Sequence, residues 1–398
     1  MSVQVARLGD IAEDLRSGFA CGVDDPDGVI QFRMNNVERD GALNWTKMRR
    51  VPEAMVKSGL TLQPKDILLN ATNSPDLVGK TALFVGADEP ITFSNHFLRL
   101  RMRTKAAEPA YVARWLRRQF ELGNFKAMCR SWVNQASITR DQVSNLEIPL
   151  PPLDEQRRIA AILDKADQLR QKRRHAIALL ESLTQSIFLE MFGDLAASTD
   201  KWPRVALSEV AEIGSGITKG RKTNSTSTIE VPYLAVANVQ DKALNLATVK
   251  TIEATPSEID KYKLEADDLL LTEGGDPDKL GRGTLWRGEL PLAIHQNHIF
   301  RVRFTSAQID PLYANWVIGS EYGKRYFLKS AKQTTGIASI NKSQLSGFPV
   351  ILPPVNLQRS FVKRAEAVSS QIRSHTAHLD SFNSAFSALQ TSAFRGGI

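Results

Sequence analysis

The sequence predicts an α+β protein: two tandem mixed α/β globules, each followed by a long α-helix, the two helices pairing as an antiparallel coiled coil with pseudo-two-fold symmetry. Three observations predict it. "IPLPPLDEQR" (148–157) returns as "VILPPVNLQR" (350–359), which sets Pro151 and Pro353 202 residues apart. The same offset carries Asn36-Val37 onto Asn238-Val239, Gly79-Lys80 onto Gly281-Arg282, Asn95-His96 onto Asn297-His298 and Ala136-Ser137-Ile138 onto Ala338-Ser339-Ile340. After each Pro-Pro pair the texture changes to a long run without Pro or Gly. A repeat of this length far exceeds a solenoid unit, so each copy is a folding module with its own core.

The elements follow in order. The first globule spans 1–152 and the second 197–354, with the long helices at 153–196 and 355–398. Within the first globule "DILLNA" (66–71), "TALFVG" (81–86) and "HFLRLRMR" (96–103) are apolar runs of strand length between Gly, Pro, Asn and Asp turns. One helix interrupts them, "PAYVARWLRRQFEL" (109–122), with Pro at its start and Gly123 just past its end. "DPLYANWVIGSEYGKRYF" (310–327) repeats it.

After Pro152, Asp154 is placed to cap a helix running to Gly193. Ile159, Ile162, Ala166, Leu169, Ala176, Leu180, Leu183 and Ile187 form a heptad-like stripe along it. Val362, Ala365, Val368, Ile372, Leu379, Phe382, Phe386, Leu389 and Ala393 form the second. An amphipathic rod of this length is unstable in water unless its stripe is buried, and the other rod is the simplest partner. Arg173 and His375 interrupt the stripes and read as a solvated gap. The basic run "RQKRRH" (170–175) reads either as a solvated face or as an approach site for partner subunits or a DNA backbone.

Composition narrows the class. With 398 residues, 42% hydrophobic and 24% charged, the chain reads as an ordinary soluble protein. No run approaches the ~18 apolar residues of a membrane span, and the N-terminus lacks a signal-peptide pattern. Cys21 and Cys129 fall in the first copy alone, which argues against a duplicated disulfide or zinc site and for reduced, cytoplasmic thiols. A net charge of +8 and pI ≈ 9.4 suit a polyanionic partner.

Catalytic motifs are missing. "GSGITKG" (214–220) lacks the phosphate-loop spacing, and no H-E-x-x-H, C-x-x-C or G-x-S-x-G occurs. "LPPL" has no preceding Asn or Asp and no following aromatic ring, so it cannot hold a flipped base as an amino-methyltransferase tetrapeptide does. His96 and His298 read as buried histidines satisfying strand-end hydrogen bonds. The chain reads as non-catalytic, with no cofactor of its own.

The copies disagree inside their preserved frame. "NATNSPDLVGK" (70–80) aligns on "TEGGDPDKLGR" (272–282), and "CRSWVNQASI" (129–138) on "AKQTTGIASI" (331–340). Asn pairs with an adenine edge, a carboxylate accepts from cytosine, and Arg or Lys reads guanine. Two scaffolds with different polar loops suit two different short DNA words; loops that simply drifted are the alternative. The candidate DNA contacts are Asn70, Asn73, Lys80, Arg130, Trp132, Asn134 and Gln135 in the first copy. In the second they are Lys219, Arg221, Lys222, Glu273, Asp276, Lys279, Arg282, Lys332, Gln333 and Thr334. Lys80, Arg282, Arg99, Arg101, Arg301 and Arg303 are candidates to neutralise phosphates.

Over nearly its whole length the chain resembles the DNA-specificity (S) subunit of type I restriction–modification enzymes. The residues that carry this are the doubled order, "LPPLDEQRRIAAILDKAD", "LPPVNLQRS" and the helix ends "LLESLTQSIF" and "FSALQTSAF". The resemblance implies target-recognition domains that each contact one half of a split, asymmetric double-stranded DNA site. It implies paired helices that fix the gap and dock two modification subunits. Those subunits would carry the S-adenosylmethionine-dependent methylation, and restriction subunits using ATP and Mg can join them. Asn356-Leu357 stands in the second copy where the first has Asp154-Glu155, a departure from the family pattern on that side. The competing class is a duplicated protein-only adaptor that never touches DNA.

Overall fold

The computed structural model describes residues 4–132, 135–197, 201–221, 227–276, 280–334 and 337–395, with backbone alone at 131–132, 332–334 and 337. The chain forms two compact units, residues 1–175 with 377–398 and residues 176–376. These boundaries differ from the sequence modules, because each unit takes one half of each long helix. A half-helix buries its apolar face by joining the globule beside it.

In the first unit a four-stranded antiparallel sheet has the order Ala12–Ser17, Phe97–Met102, Ile67–Asn70, Thr81–Leu83. Alternate residues serve two cores: Ile67, Leu69 and Leu100 pack with the helices, while Leu68, Ala82 and Phe97 pack with Phe32 and Phe93. Burial on both faces explains the unbroken apolar run at 67–69. Val5–Arg7 pairs with Glu147–Pro149, closing the globule just before the Pro-Pro pair. The second unit repeats the sheet with Ala211–Ser215, Ile299–Phe304, Leu269–Thr272 and Gly283–Leu285, and the closing ribbon with Arg204–Ala206 and Pro349–Ile351.

The long helices run Leu153–Phe192 and Val355–Ala393. The first starts from the Pro152 carbonyl, which accepts from Glu155 (2.9 Å) and Gln156 (3.0 Å). Asp154 is therefore not the cap. It lies exposed in the first turn, paired with Arg157 at 3.2 Å, where the helix dipole favours an acid.

In the first unit the two helices meet antiparallel, Arg170 reaching Asn383 (2.9 Å) and Arg173 lying over Phe382 (6.0 Å). In the second, Phe188 and Phe192 pack on Phe361 near the start of the last helix. The buried faces differ from the apolar stripes. Leu169 and Leu183 are exposed, whereas Gln156, Asp167, Thr184, Gln358 and Gln390 are buried. Hydrogen bonds and ion pairs let polar side chains occupy core positions that an apolar count assigns to solvent. Arg173 likewise packs on a ring instead of facing a solvated gap, and Arg170 is a half-buried partner of Asp167 instead of part of a free basic face.

Candidate nucleic-acid interface

Strand direction sorts the connections of each globule. Ser17, Phe97, Asn70 and Thr81 lie at one end of the four-stranded sheet, Ala12, Met102, Ile67 and Leu83 at the other. The junction with the long helices belongs to the second end, where Arg103 donates to the Ile11 carbonyl (3.0 Å) just ahead of the helix Pro109–Glu121. At the first end Ala71 donates to His96 (2.8 Å), Ile138 to Ala71 (2.8 Å) and Asn95 to Phe19 (3.3 Å). In the second unit Glu273 donates to His298 (2.9 Å), Ile340 to Glu273 (2.9 Å) and Asn297 to Ile217 (3.0 Å).

The two segments that diverged between the copies meet there. Arg130–Trp132, Gln135–Ser137 and Thr72–Asn73 form one three-stranded sheet in the first unit. Lys332–Thr334, Ile337–Ser339 and Gly274–Gly275 form its counterpart in the second. Segments some sixty residues apart in sequence thus share one surface, as the loop comparison requires of a reader.

The candidates divide. Asn73 is half-buried and caps Ser74 (2.8 Å), while Arg130 and Gln135 are exposed on the hairpin. Trp132 pairs through its backbone with Gln135. Lys219 and Asp276 are exposed and Arg282 is half-buried. Lys332, Gln333 and Thr334 lie in their strand, and Asn134, Lys222 and Lys279 lie outside the described residues. Glu273 pairs with His298 Nδ1 at 2.6 Å. His298 is thus an exposed partner of a candidate reading residue, not the buried structural histidine expected.

Several of the polar candidates are structural instead. Asn70 is buried, its amide donating to the Met34 carbonyl (3.3 Å). Lys80 is 5% exposed, donates to Met34 (3.0 Å) and to the Val37 carbonyl, and burial pushes its pKa down. Both side chains are spent on backbone carbonyls inside the globule instead of being presented to solvent. Arg101 and Arg303 form bidentate pairs with the buried carboxylates of Asp66 (2.7 Å) and Asp268 (2.7 and 2.8 Å). Arg99 is buried against Asp14 and Gly59, with its pKa pushed by burial to about 10, and Arg301 donates to the Lys263 carbonyl (2.9 Å). Arg221 is clamped by both oxygens of Glu258 (2.6 Å), a pairing that pulls the Glu258 pKa to about 2. For Arg99, Arg101, Arg301 and Arg303 the sequence signal, a basic side chain repeated at one offset, reports a repeated internal ion pair or backbone clamp.

The buried clamps point to residues that the loop comparison missed. Asn36, 1% exposed, accepts from Arg33 N–H (2.8 Å) and donates to the carbonyls of Asn44 (2.9 Å) and Lys47 (3.2 Å). Together with Lys80 and Asn70 it holds an exposed turn carrying Met34, Asn35, Trp45 and Lys47. Trp45 is 41% exposed and braced edge-on by Phe32 at 5.1 Å. The available signal was a Trp among basic residues in "RMNN…NWTKMRR".

The model of the type I restriction modification DNA specificity domain matches this chain twice, over residues 3–179 and 199–381. The chain belongs to that family. The type I restriction enzyme StySPI specificity subunit of Salmonella potsdam is 24% identical over 396 residues, covering 92% of this chain and 82% of that protein. The EcoKI specificity subunit of Escherichia coli K12 is 23% identical over 393 residues, with the same coverage. A chain from a solved type I R-M system assembly matches at TM-score 0.57 and 19% identity, covering 100% of this chain and 98% of that one. A type I restriction-modification S subunit from M. genitalium matches at TM-score 0.59 and 15% identity, covering 98% and 95%. Each specificity domain of this chain thus carries one divergent three-stranded sheet at the loop end of its scaffold.

Proposed function

We propose that this chain is the sequence-reading subunit of a type I restriction–modification complex, with each globule reading one half of a bipartite, asymmetric DNA site. The observation that carries this is the convergence of both divergent segments on one sheet in each unit. Both segments lie at the sheet end opposite the helix junction, on a single surface in each unit. In the first globule the contacts come from Asn73, Arg130, Trp132, Asn134 and Gln135, with Asn35, Trp45 and Lys47 on the exposed turn. In the second they come from Lys219, Lys222, Glu273, Asp276, Lys279, Arg282 and the strand 332–334.

The chain itself performs no chemistry in this reading. Two methyltransferase subunits dock on the helices and supply S-adenosylmethionine-dependent methylation, and ATP and Mg belong to restriction subunits that join them. The paired helices set the gap between half-sites. One heptad inserted in each adds about 10 Å, or about three base pairs at ~3.4 Å, and the preferred gap grows to match.

A binding series on duplexes mutated in one half-site at a time tests the two-reader model. Exchanging the first globule for that of a relative should change one half-site and leave the other. Equal changes in both half-sites would overturn it. Binding to random duplex DNA without salt dependence would favour the protein-only adaptor instead.

A further inference from the structure

The two junctions where a helix end meets its globule occupy equivalent places in the duplication, yet their chemistry is opposite. In the first unit Asp167, with a side chain 2% exposed, accepts from Arg114 (2.8 Å), Arg117 (2.9 Å) and Arg170 (3.4 Å). The tail of the last helix completes this network. Asn383 accepts from Arg170 (2.9 Å), and the Phe386 ring lies under the Arg170 guanidinium at 4.3 Å. Gln390, Ser387 and Thr391 accept from Arg118 at 3.3, 3.3 and 3.2 Å, and Gln390, 1% exposed, also donates to Glu121 (3.2 Å).

In the second unit the corresponding place is aromatic. Phe188, 1% exposed, stacks on Trp316 (5.8 Å) and meets Phe361 edge-on (5.4 Å), while Phe192 packs on Tyr313 (4.9 Å). At the 202-residue offset Trp316 stands for Arg114, Ser320 for Arg118, Ser369 for Asp167 and Ile372 for Arg170. In the tails Phe188 stands for Gln390 and Thr184 for Phe386.

We infer that each junction is a receptor for one helix end only, accepting the tail that follows the other globule and rejecting the tail that follows its own. The tail 176–192 seated in the first junction would set a phenyl ring at the place of Gln390 and Leu189 at the place of Thr391, removing two of the three acceptors the tail offers Arg118 beside its own-helix partner Glu121 (3.6 Å). Taking acceptors from a half-buried guanidinium, and placing a ring where the Gln390 amide bonded Glu121, is destabilising. The tail 377–394 seated in the second junction would bury the Gln390 amide among Phe361, Trp316 and Tyr313, which offer its two donors no acceptor from their rings. The partner that fits each surface is therefore the opposite half of this chain, and two copies cannot exchange matching helix ends. Every assembled molecule keeps one reader of each kind.

The test uses the full-length chain. The tail variant N383E/F386T/S387Q/Q390F/T391L gives the last helix the contact residues of the other tail. It should lower the melting temperature of the first unit by at least about 8 °C and remove hydrogen-exchange protection from 109–121, with the second unit's protection unchanged. The receptor variant R114W/R117A/R118S/D167S/R170I should also be destabilised. Combining the two sets should recover more than half of the tail variant's loss. A tail variant that melts with wild type, or a combination that falls by the sum of both losses, would overturn the inference.

Discussion

The side-chain carbonyl of Gln156 accepts a hydrogen bond from the backbone N–H of Glu108 at 2.8 Å, and its amide donates to Pro151 at 2.8 Å. At the 202-residue offset Gln358 accepts from Asp310 (2.9 Å) and donates to Pro353 and Gln308 (both 2.9 Å). The repeated Pro-Pro-x-x-x-Gln is therefore a staple: one buried amide ties the first turn of each long helix to the residues leading into the globule's own helix. Each replacement by Leu should cost about 1–3 kcal/mol, because buried backbone groups lose their partners. Chemical denaturation of each variant checks this, with half-site preference expected to stay unchanged.

Lys80 separates scaffold from contact. Lys80→Met leaves the carbonyls of Met34 and Val37 short of a donor and should destabilise the first unit by about 1–3 kcal/mol. The salt slope of DNA binding should stay at the wild-type value. A slope lowered by about one unit would show that the ammonium meets a phosphate after all.

Glu273→Ala should weaken or relax discrimination at the second globule's half-site alone, by about 1–3 kcal/mol if a base contact is lost. Asn73→Ala should do the same at the other half-site. Competition binding on paired duplexes with single half-site changes reads both.

Asp167 should be the most sensitive carboxylate of the first unit. Burial opposes its charged form, yet Arg117 and Arg114 hold its pKa below the ordinary 3.8. A depressed acid contributes stability above its unfolded pKa and loses it as pH falls through the folded value. Asp167→Asn should cost about 3–5 kcal/mol near neutral pH, since it leaves Arg114 and Arg117 without their buried counter-charge, and the deficit should shrink below about pH 4. Unfolding measured across that range checks the sign.

His295 gives the second unit an acid sensitivity of its own. The ring is 0% exposed, and burial, then the charge of Arg301, lower its pKa from 6.5 to about 3. Folding therefore keeps it neutral; the stability this allows is complete above about pH 6.5 and declines as pH falls from there toward 3. Phe93, at the equivalent place in the first copy, is buried beneath Arg99 with 5.7 Å between guanidinium and ring. His295→Phe should flatten the pH dependence of unfolding of the second unit between about pH 6.5 and 4.

The sequence by itself determined the duplication, the handover at each Pro-Pro pair, the strand runs, the long helices and the loops in which the copies differ. Each is written in local terms: an offset, a turn residue, a periodicity, an absence of Pro and Gly. Tertiary structure alone decided what the repeated polar residues do. Arg101 and Arg303, Asn36 and Asn238, Gln156 and Gln358 look like surface chemistry in a string of letters, because nothing local shows that a carboxylate or carbonyl lies across the fold. Their internal partners became visible only with Asp66, Asp268 and the facing backbone in place. The heptad count failed at Asp167 and Gln390 for the same reason: a long-range partner cancels the desolvation cost that an apolar periodicity assumes.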